Sequence, residues 1–190
     1  MRTTSNAFRL SYLAILTAIV IVLQLLGSFI KFGPFEVSLV LLPIVLGVVT
    51  GGPLAGGWLG LVFGVCVLLS PATQAFMTVD AFGTVVTVLL KGVLCGLAAG
   101  GAFRLLCNWN KYVAVMTAAV VCPIVNTGIF LLGCWLFFLP DIQKWAIELG
   151  YADVGAYVIY GLVGINFLVE LGTNIVLSPV IVRLIRIGKK

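Results

Sequence analysis

Long apolar runs, broken by short clusters of polar, glycine and proline residues, set the pattern of this chain. The first run covers residues 10–30 and ends at Lys31-Phe32-Gly33-Pro34-Phe35-Glu36. The second, residues 37–50, contains Pro43 and stops at Gly51-Gly52-Pro53, a tight-turn signal. A third covers residues 54–69, before Ser70-Pro71-Ala72-Thr73-Gln74 opens a loop reaching Asp80. The remaining runs cover residues 81–106, 112–139 and 155–187. They are separated by the turn Asn108-Trp109-Asn110-Lys111 and by a longer charged stretch, residues 140–153, read as an interfacial loop. A spanning helix needs about 20 mostly apolar residues. In lipid a run of this kind satisfies its own backbone as a helix. The pattern therefore predicts an all-α integral membrane protein, with one transmembrane domain over residues 1–190 built as a six-helix bundle.

Composition sharpens this picture. The chain is 62% hydrophobic and 9% charged, with a mean hydropathy of +1.25, against about 25% charged residues in an ordinary soluble domain. Its 11 basic and 6 acidic side chains stand mostly at the ends of the apolar runs. With the N-terminus in the cytoplasm, Arg2, Arg9, Arg104, Lys111, Arg183, Arg186, Lys189 and Lys190 fall on the cytoplasmic side. Lys31, Lys144, Glu36, Asp80, Asp141, Glu148 and Asp153 fall opposite. The positive-inside rule then predicts that both termini are cytoplasmic. This asymmetry reads as membrane topology, and no basic run is long enough to suggest nucleic acid as a partner. The apolar run after Arg9 is too long for a secretory signal and lacks its cleavage pattern, so it is expected to stay as the first helix.

Several chemistries are excluded. There is no histidine, which removes the commonest general base and metal ligand, and with it HExxH proteolysis. Five cysteines are dispersed without a CxxC pair, which argues against a disulfide framework and for small buried hydrophobes. No phosphate-binding GxxxxGK[ST] motif occurs. No cofactor or metal is expected in this chain, and any ATP would be bound by another polypeptide.

What remains is a small set of polar residues inside apolar runs. Lys91 and Glu170 are expected near mid-membrane, where charge is costly and faces a bundle interior or a wet cavity. Asp80, Thr84, Thr87 and Lys91 recur at steps of 4, 3 and 4, one face of a helix. Asn166, Glu170, Thr173 and Asn174 share another face, and Asn126 and Thr127 lie at matching depth below Phe130, Trp135 and Phe137. Three helices would thus present polar anchors beneath aromatic walls, the makings of a ligand pocket. Lys91 and Glu170 also fit a purely structural ion pair. Gly52, Gly56, Gly60 and Gly64, with Gly92, Gly96 and Gly100, form ladders for close helix packing. They serve either the bundle itself or a contact with another subunit. Ala14 and Ala18 make a small flat patch on an otherwise bulky helix, suited to docking a partner helix.

Taken together, these features resemble the S component, the substrate-binding membrane subunit of energy-coupling-factor (ECF) vitamin transporters. The resemblance covers essentially the whole chain. It is carried by the six runs, the Ala14-x-x-x-Ala18 patch, the segment Leu41-Leu42-Pro43-Ile44-Val45-Leu46-Gly47 leading into Gly52-Pro53-Leu54-Ala55-Gly56, and the Lys91-Gly92 to Gly100 stretch. It implies a non-enzymatic subunit that captures one water-soluble vitamin or precursor: pantothenate, riboflavin, folate or a pyrimidine-like compound. It also implies a transmembrane coupling protein and two ABC-type ATPases as partners in the bacterial plasma membrane. Ala14 and Ala18 would contact the coupling protein. The pocket would draw on the Lys31–Glu36 loop, Glu36 included, and on Thr84, Thr87, Lys91, Asn126, Trp135, Asn166 and Glu170. Two rival classes are a membrane enzyme acting on a lipid or isoprenoid, with Glu170 and Lys91 as acid and base, and a proton-coupled carrier. The first lacks histidines and paired metal-binding carboxylates; the second usually shows internal repeats, which are absent here.

Overall fold

The glycines at four-residue spacing decide how the helices of this chain meet. In a computed structural model, residues 6–27, 31–32, 35–36 and 39–187 are described. The helix α1 (Asn6–Gly27) is followed by a ribbon of two short antiparallel strands, β1 (Lys31–Phe32) and β2 (Phe35–Glu36). Then come α2 (Leu41–Gly51), α3 (Pro53–Leu68), α4 (Pro71–Val79), α5 (Ala81–Leu106) and α6 (Lys111–Phe137). After α7 (Leu139–Glu148) and the short α8 (Val154–Ala156), the chain widens into a π-helical stretch, Tyr157–Val163, and ends in α9 (Gly164–Ile187).

Gly56, Gly60 and Gly64 of α3 face Gly96, Gly92 and Val88 of α5. A Cβ on Gly56 would lie 2.7 Å from the Gly96 carbonyl oxygen, and one on Gly64 would lie 3.0 Å from that of Val88. On Gly60 it would collide with the Gly92 carbonyl, and a Cβ on Gly92 or Gly96 would collide in return. Backbone therefore meets backbone, the approach that small residues permit when lipid supplies no hydrophobic drive between helices. The glycine ladder is internal packing, and the α3–α5 contact is the most extensive between any two elements. The α5–α6 contact comes next and uses small residues again: Cys95 and Ala99 on one side, Ala114, Ala118 and Cys122 on the other, all fully buried.

Two apolar cores result. One joins Leu16 and Val20 of α1, Ile44 and Val48 of α2, Leu59 and Phe63 of α3, and Ile181 of α9 to the small residues of α5 and α6. The other gathers Phe76, Cys134, Phe138, Ile142, Ala146, Tyr157 and Leu162. On α1, Leu16, Val20, Gln24 and Gly27 form the buried stripe, while Ile15, Val22, Leu25 and Leu26 face outward, as expected of an apolar helix with lipid on its other sides.

Among the described residues, three to five of the six expected crossings are long and apolar enough to span: the helices Arg9–Gly27, Ala81–Leu106 and Lys111–Phe137, and two more if each bent pair counts as one. The predicted helix over residues 37–50 begins at Leu41 and has 11 residues, about 16 Å of rise against about 30 Å of hydrocarbon. Pro43 sits in its first turn, where a missing N–H breaks no hydrogen bond. The stretch from Ser70 to Asp80, expected as a loop, is mostly α4, bent 77° from α3, with Pro71 in its first turn. The 140–153 stretch, also expected as a loop, begins with the amphipathic α7, which buries Ile142 and Ala146. Residues 28–30 of the predicted first helix lie outside the described residues.

The glycine contact gives a sharp comparison. Gly60→Ala is expected to destabilise the protein by about 1–3 kcal/mol, because the clash is with backbone and neither helix can yield locally. Gly101→Ala and Gly128→Ala, which meet nothing within 4 Å, are expected to be neutral or stabilising by up to about 1 kcal/mol. Thermal unfolding in detergent by fluorescence-detected size exclusion measures all three.

Candidate functional site

Asp80 starts α5 by capping it: its carboxylate accepts from the Gly83 N–H at 3.0 Å, and its carbonyl accepts from the Thr84 hydroxyl at 2.7 Å. That cap satisfies an otherwise orphaned donor and sets the rotation of the helix. Thr84, Thr87 and Lys91 then fall on one wall of a cavity of about 120 Å³. Asn126, Thr127 and Phe130 of α6 form a second wall; Asn166, Phe167 and Glu170 of α9 form a third. Six of the eight side chains expected at the pocket therefore share one cavity: Thr84, Thr87, Lys91, Asn126, Asn166 and Glu170.

Trp135 does not line it. Trp135 is 64% exposed on the outer side of α6. It lies nine positions from Asn126, two and a half turns along the helix, and so on the opposite face. Glu36 pairs in backbone register with Lys31 across the β1–β2 ribbon; its side chain lies outside the described residues. Of the other polar residues on the Glu170 face, Thr173 bonds back to the carbonyls of Val169 and Glu170 at 2.7 and 3.0 Å. Asn174 is buried without reaching the cavity wall.

The cavity has contributors that residue spacing did not suggest. Gln24 of α1 is buried against it, Phe63 and Val67 come from α3, and Ser70, Thr73 and Phe76 come from the bend and α4. Gln24 carried a usable signal, an amide inside an apolar run. Phe76 carried none, because its stretch reads as loop. Phe76 nonetheless organises this end of the cavity. Its ring meets those of Phe130, Phe138 and Trp145 edge-on, with centroids 5.9, 5.1 and 5.4 Å away, a favoured aromatic geometry. These contacts pin α4 to α6 and α7, so the bent helix closes part of the cavity. The π-helical stretch places Leu162 and Val163 on the same wall.

The electrostatics centre on Lys91. Its ammonium lies 5.2 Å from the Phe130 ring centroid and 5.9 Å from that of Phe63, within cation–π range of both. Glu170, on the facing helix, acts on it through space. Lys144 and Asp141 form a surface ion pair at 2.9 Å, well away from this site. Lys91 and Glu170 are two opposite charges on the walls of one low-dielectric cavity. Beside them the Thr87 hydroxyl and the Asn126 amide oxygen are buried with no partner in the protein. Buried polar atoms are normally satisfied, so these two await a ligand or water. Among the described residues no group of three His, Cys, Asp or Glu converges as a metal site would require.

The family model for the ECF transporter substrate-specific component matches residues 8–182. The chain belongs to this family. It is thus the substrate-specific component of a membrane-embedded ECF importer, a transporter subunit rather than an enzyme, and its family works with transmembrane and ATPase modules. No curated protein and no solved structure matches the chain. The Ala14-x-x-x-Ala18 patch of this S component lies exposed on α1, away from the buried Leu16–Val20–Gln24 stripe.

Phe76→Ala is expected to destabilise the folded protein by about 3–5 kcal/mol, as large aromatic truncations do, and to speed proteolysis at the α3–α4 bend. Trp135→Ala should change stability by about 0.5 kcal/mol or less. Paired unfolding and limited-proteolysis measurements separate the two.

Proposed function

We propose that this S component captures a water-soluble vitamin or vitamin precursor with high affinity, without nucleotide, and delivers it to an ATP-driven coupling module. The reading rests on one observation: a cavity inside the bundle carries two opposite charges, two unpartnered polar atoms and several aromatic walls. An apolar cavity with a few convergent polar groups is the usual form of a small-molecule site. In the proposed orientation both termini are cytoplasmic, the ribbon Lys31–Glu36 lies outside, and the cavity takes its ligand from the outside. The coupling module consists of one transmembrane protein and two ABC-type ATPases, and this chain holds no ATP.

Ala14 and Ala18 are the proposed docking point. Both are exposed on α1, and neither lines the cavity. A pair of small residues lets a partner helix approach to backbone distance, and a bulky side chain prevents it. The subunit would then bind its ligand through α5, α6 and α9 and its partner through α1, so that the two tasks fall on separate faces.

Purified protein in mild detergent should bind a member of a vitamin panel, measured by calorimetry and thermal shift with no nucleotide present. Folded protein that binds nothing, and carries no small molecule from the cell, would sink the capture reading. Ala14→Trp and Ala18→Trp should leave that binding intact while abolishing pull-down of the coupling protein and uptake in cells. Normal uptake by both variants would show the patch to be ordinary lipid-facing surface.

A further inference from the structure

The cavity's own chemistry narrows what it holds. We infer that the ligand is a carboxylic acid that also carries hydroxyl or N–H donors; this rests on the capture reading above. Lys91 is the anchor for the acid. Its ammonium is held by the faces of Phe63 and Phe130, which attract the charge but accept no conventional hydrogen bond. Its N–H donors therefore need an acceptor from elsewhere. Glu170 lies on the facing wall of the same cavity.

The donors on the ligand follow from two other points of the cavity, on α5 and on α6. Thr87 lies one turn from Lys91 on α5, about 6 Å along the helix axis. Its hydroxyl and the Asn126 amide oxygen are buried and unpartnered, and both residues are more than nine-tenths buried on the cavity wall. Gly133 of α6 has no side chain to hold Thr87 off, and a Cβ there would collide with it. The threonine is thus locked in place. An amide oxygen only accepts, so its partner must donate. The ligand must therefore present an anion at one point and a hydroxyl or N–H group roughly a helical turn away.

The test uses the complete protein in detergent and matched probes. Pantothenate and pantothenol differ in replacing a carboxylate by an alcohol; riboflavin is a donor-rich probe without a carboxylate. Mass spectrometry of any molecule released on denaturation accompanies the titrations. The expected result is binding of an acid that carries hydroxyl or N–H donors, from the panel or from the cell. It should exceed its neutral counterpart by roughly tenfold or more, the size of one charge-assisted hydrogen bond. Lys91→Gln should erase that ratio and Lys91→Arg should keep it. Thr87→Val should weaken acid and neutral counterpart alike, leaving the ratio unchanged, and decides the matter if Lys91→Gln does not fold. A neutral ligand bound as well as the acid, or an acid preference that survives Lys91→Gln, overturns the inference and leaves the capture reading standing. Folded protein that neither binds any probe nor releases any molecule overturns both.

Discussion

Everything in this bundle is arranged around the backbone contact between α3 and α5. In water, apolar side chains drive helices together; in lipid they gain little by trading tails for one another. Gly56, Gly60 and Gly64 against Gly92 and Gly96 solve that problem by removing side chains altogether, so carbonyl and Cα surfaces meet. Dispersion between close-packed atoms is small for each pair and large in sum. The contact also fixes rotation. With those glycines turned inward, α5 presents Thr84, Thr87 and Lys91 to the cavity, and α3 presents Phe63 to the Lys91 ammonium. A rotation of either helix would separate that charge from its ring.

The cavity is held open by disagreement between shapes. Below it, small residues let α5 and α6 close up through Cys95, Ala99, Ala118 and Cys122. Above it, Phe76, Phe130, Phe138 and Trp145 form a bulky edge-to-face cluster. Between the two cores, polar residues from α5, α6 and α9 cannot pack as hydrocarbons do. Placing Lys91 and Glu170 on the walls of a low-dielectric cavity costs stability, because charges there are poorly solvated. Such cost is commonly borne where a site must accept a ligand. The bend between α3 and α4 serves the same end. A straight continuation of α3 would carry Phe76 away, whereas the 77° turn brings it over the cavity.

The outer surface divides differently. On α1 the stripe of Leu16, Val20 and Gln24 is buried, and Gln24 reaches the cavity wall. The face bearing Ala14 and Ala18 looks outward. One helix thus touches both the interior of the site and the exposed small-residue patch. The indole of Trp58 on α3 donates to the Thr17 hydroxyl at 3.2 Å, tying α1 to the glycine-packed pair. This is a short physical route between the patch and the cavity.

The membrane class, the helical makeup and the family were legible in the residues themselves. Hydrophobicity and charge placement are local properties, and a backbone in lipid has few ways to satisfy itself. The shared cavity wall of Thr84, Thr87, Lys91, Asn126, Asn166 and Glu170 was legible for a related reason: buried polar residues must face inward, and helical periodicity puts them on one side. Trp135 faces outward, where the same periodicity puts it, nine positions from Asn126. Other features had no local signal. Whether a glycine ladder packs inside or against a partner depends on what lies opposite it. Whether Pro71 ends a crossing or bends it depends on a cavity to cover, and Phe76 joins that cavity only through α6 and α7. That Lys91 meets two phenyl faces while Glu170 stays across the cavity is a matter of distances between three helices. Those distances are set by backbone contact at the glycines, which spacing along one chain can suggest but cannot measure.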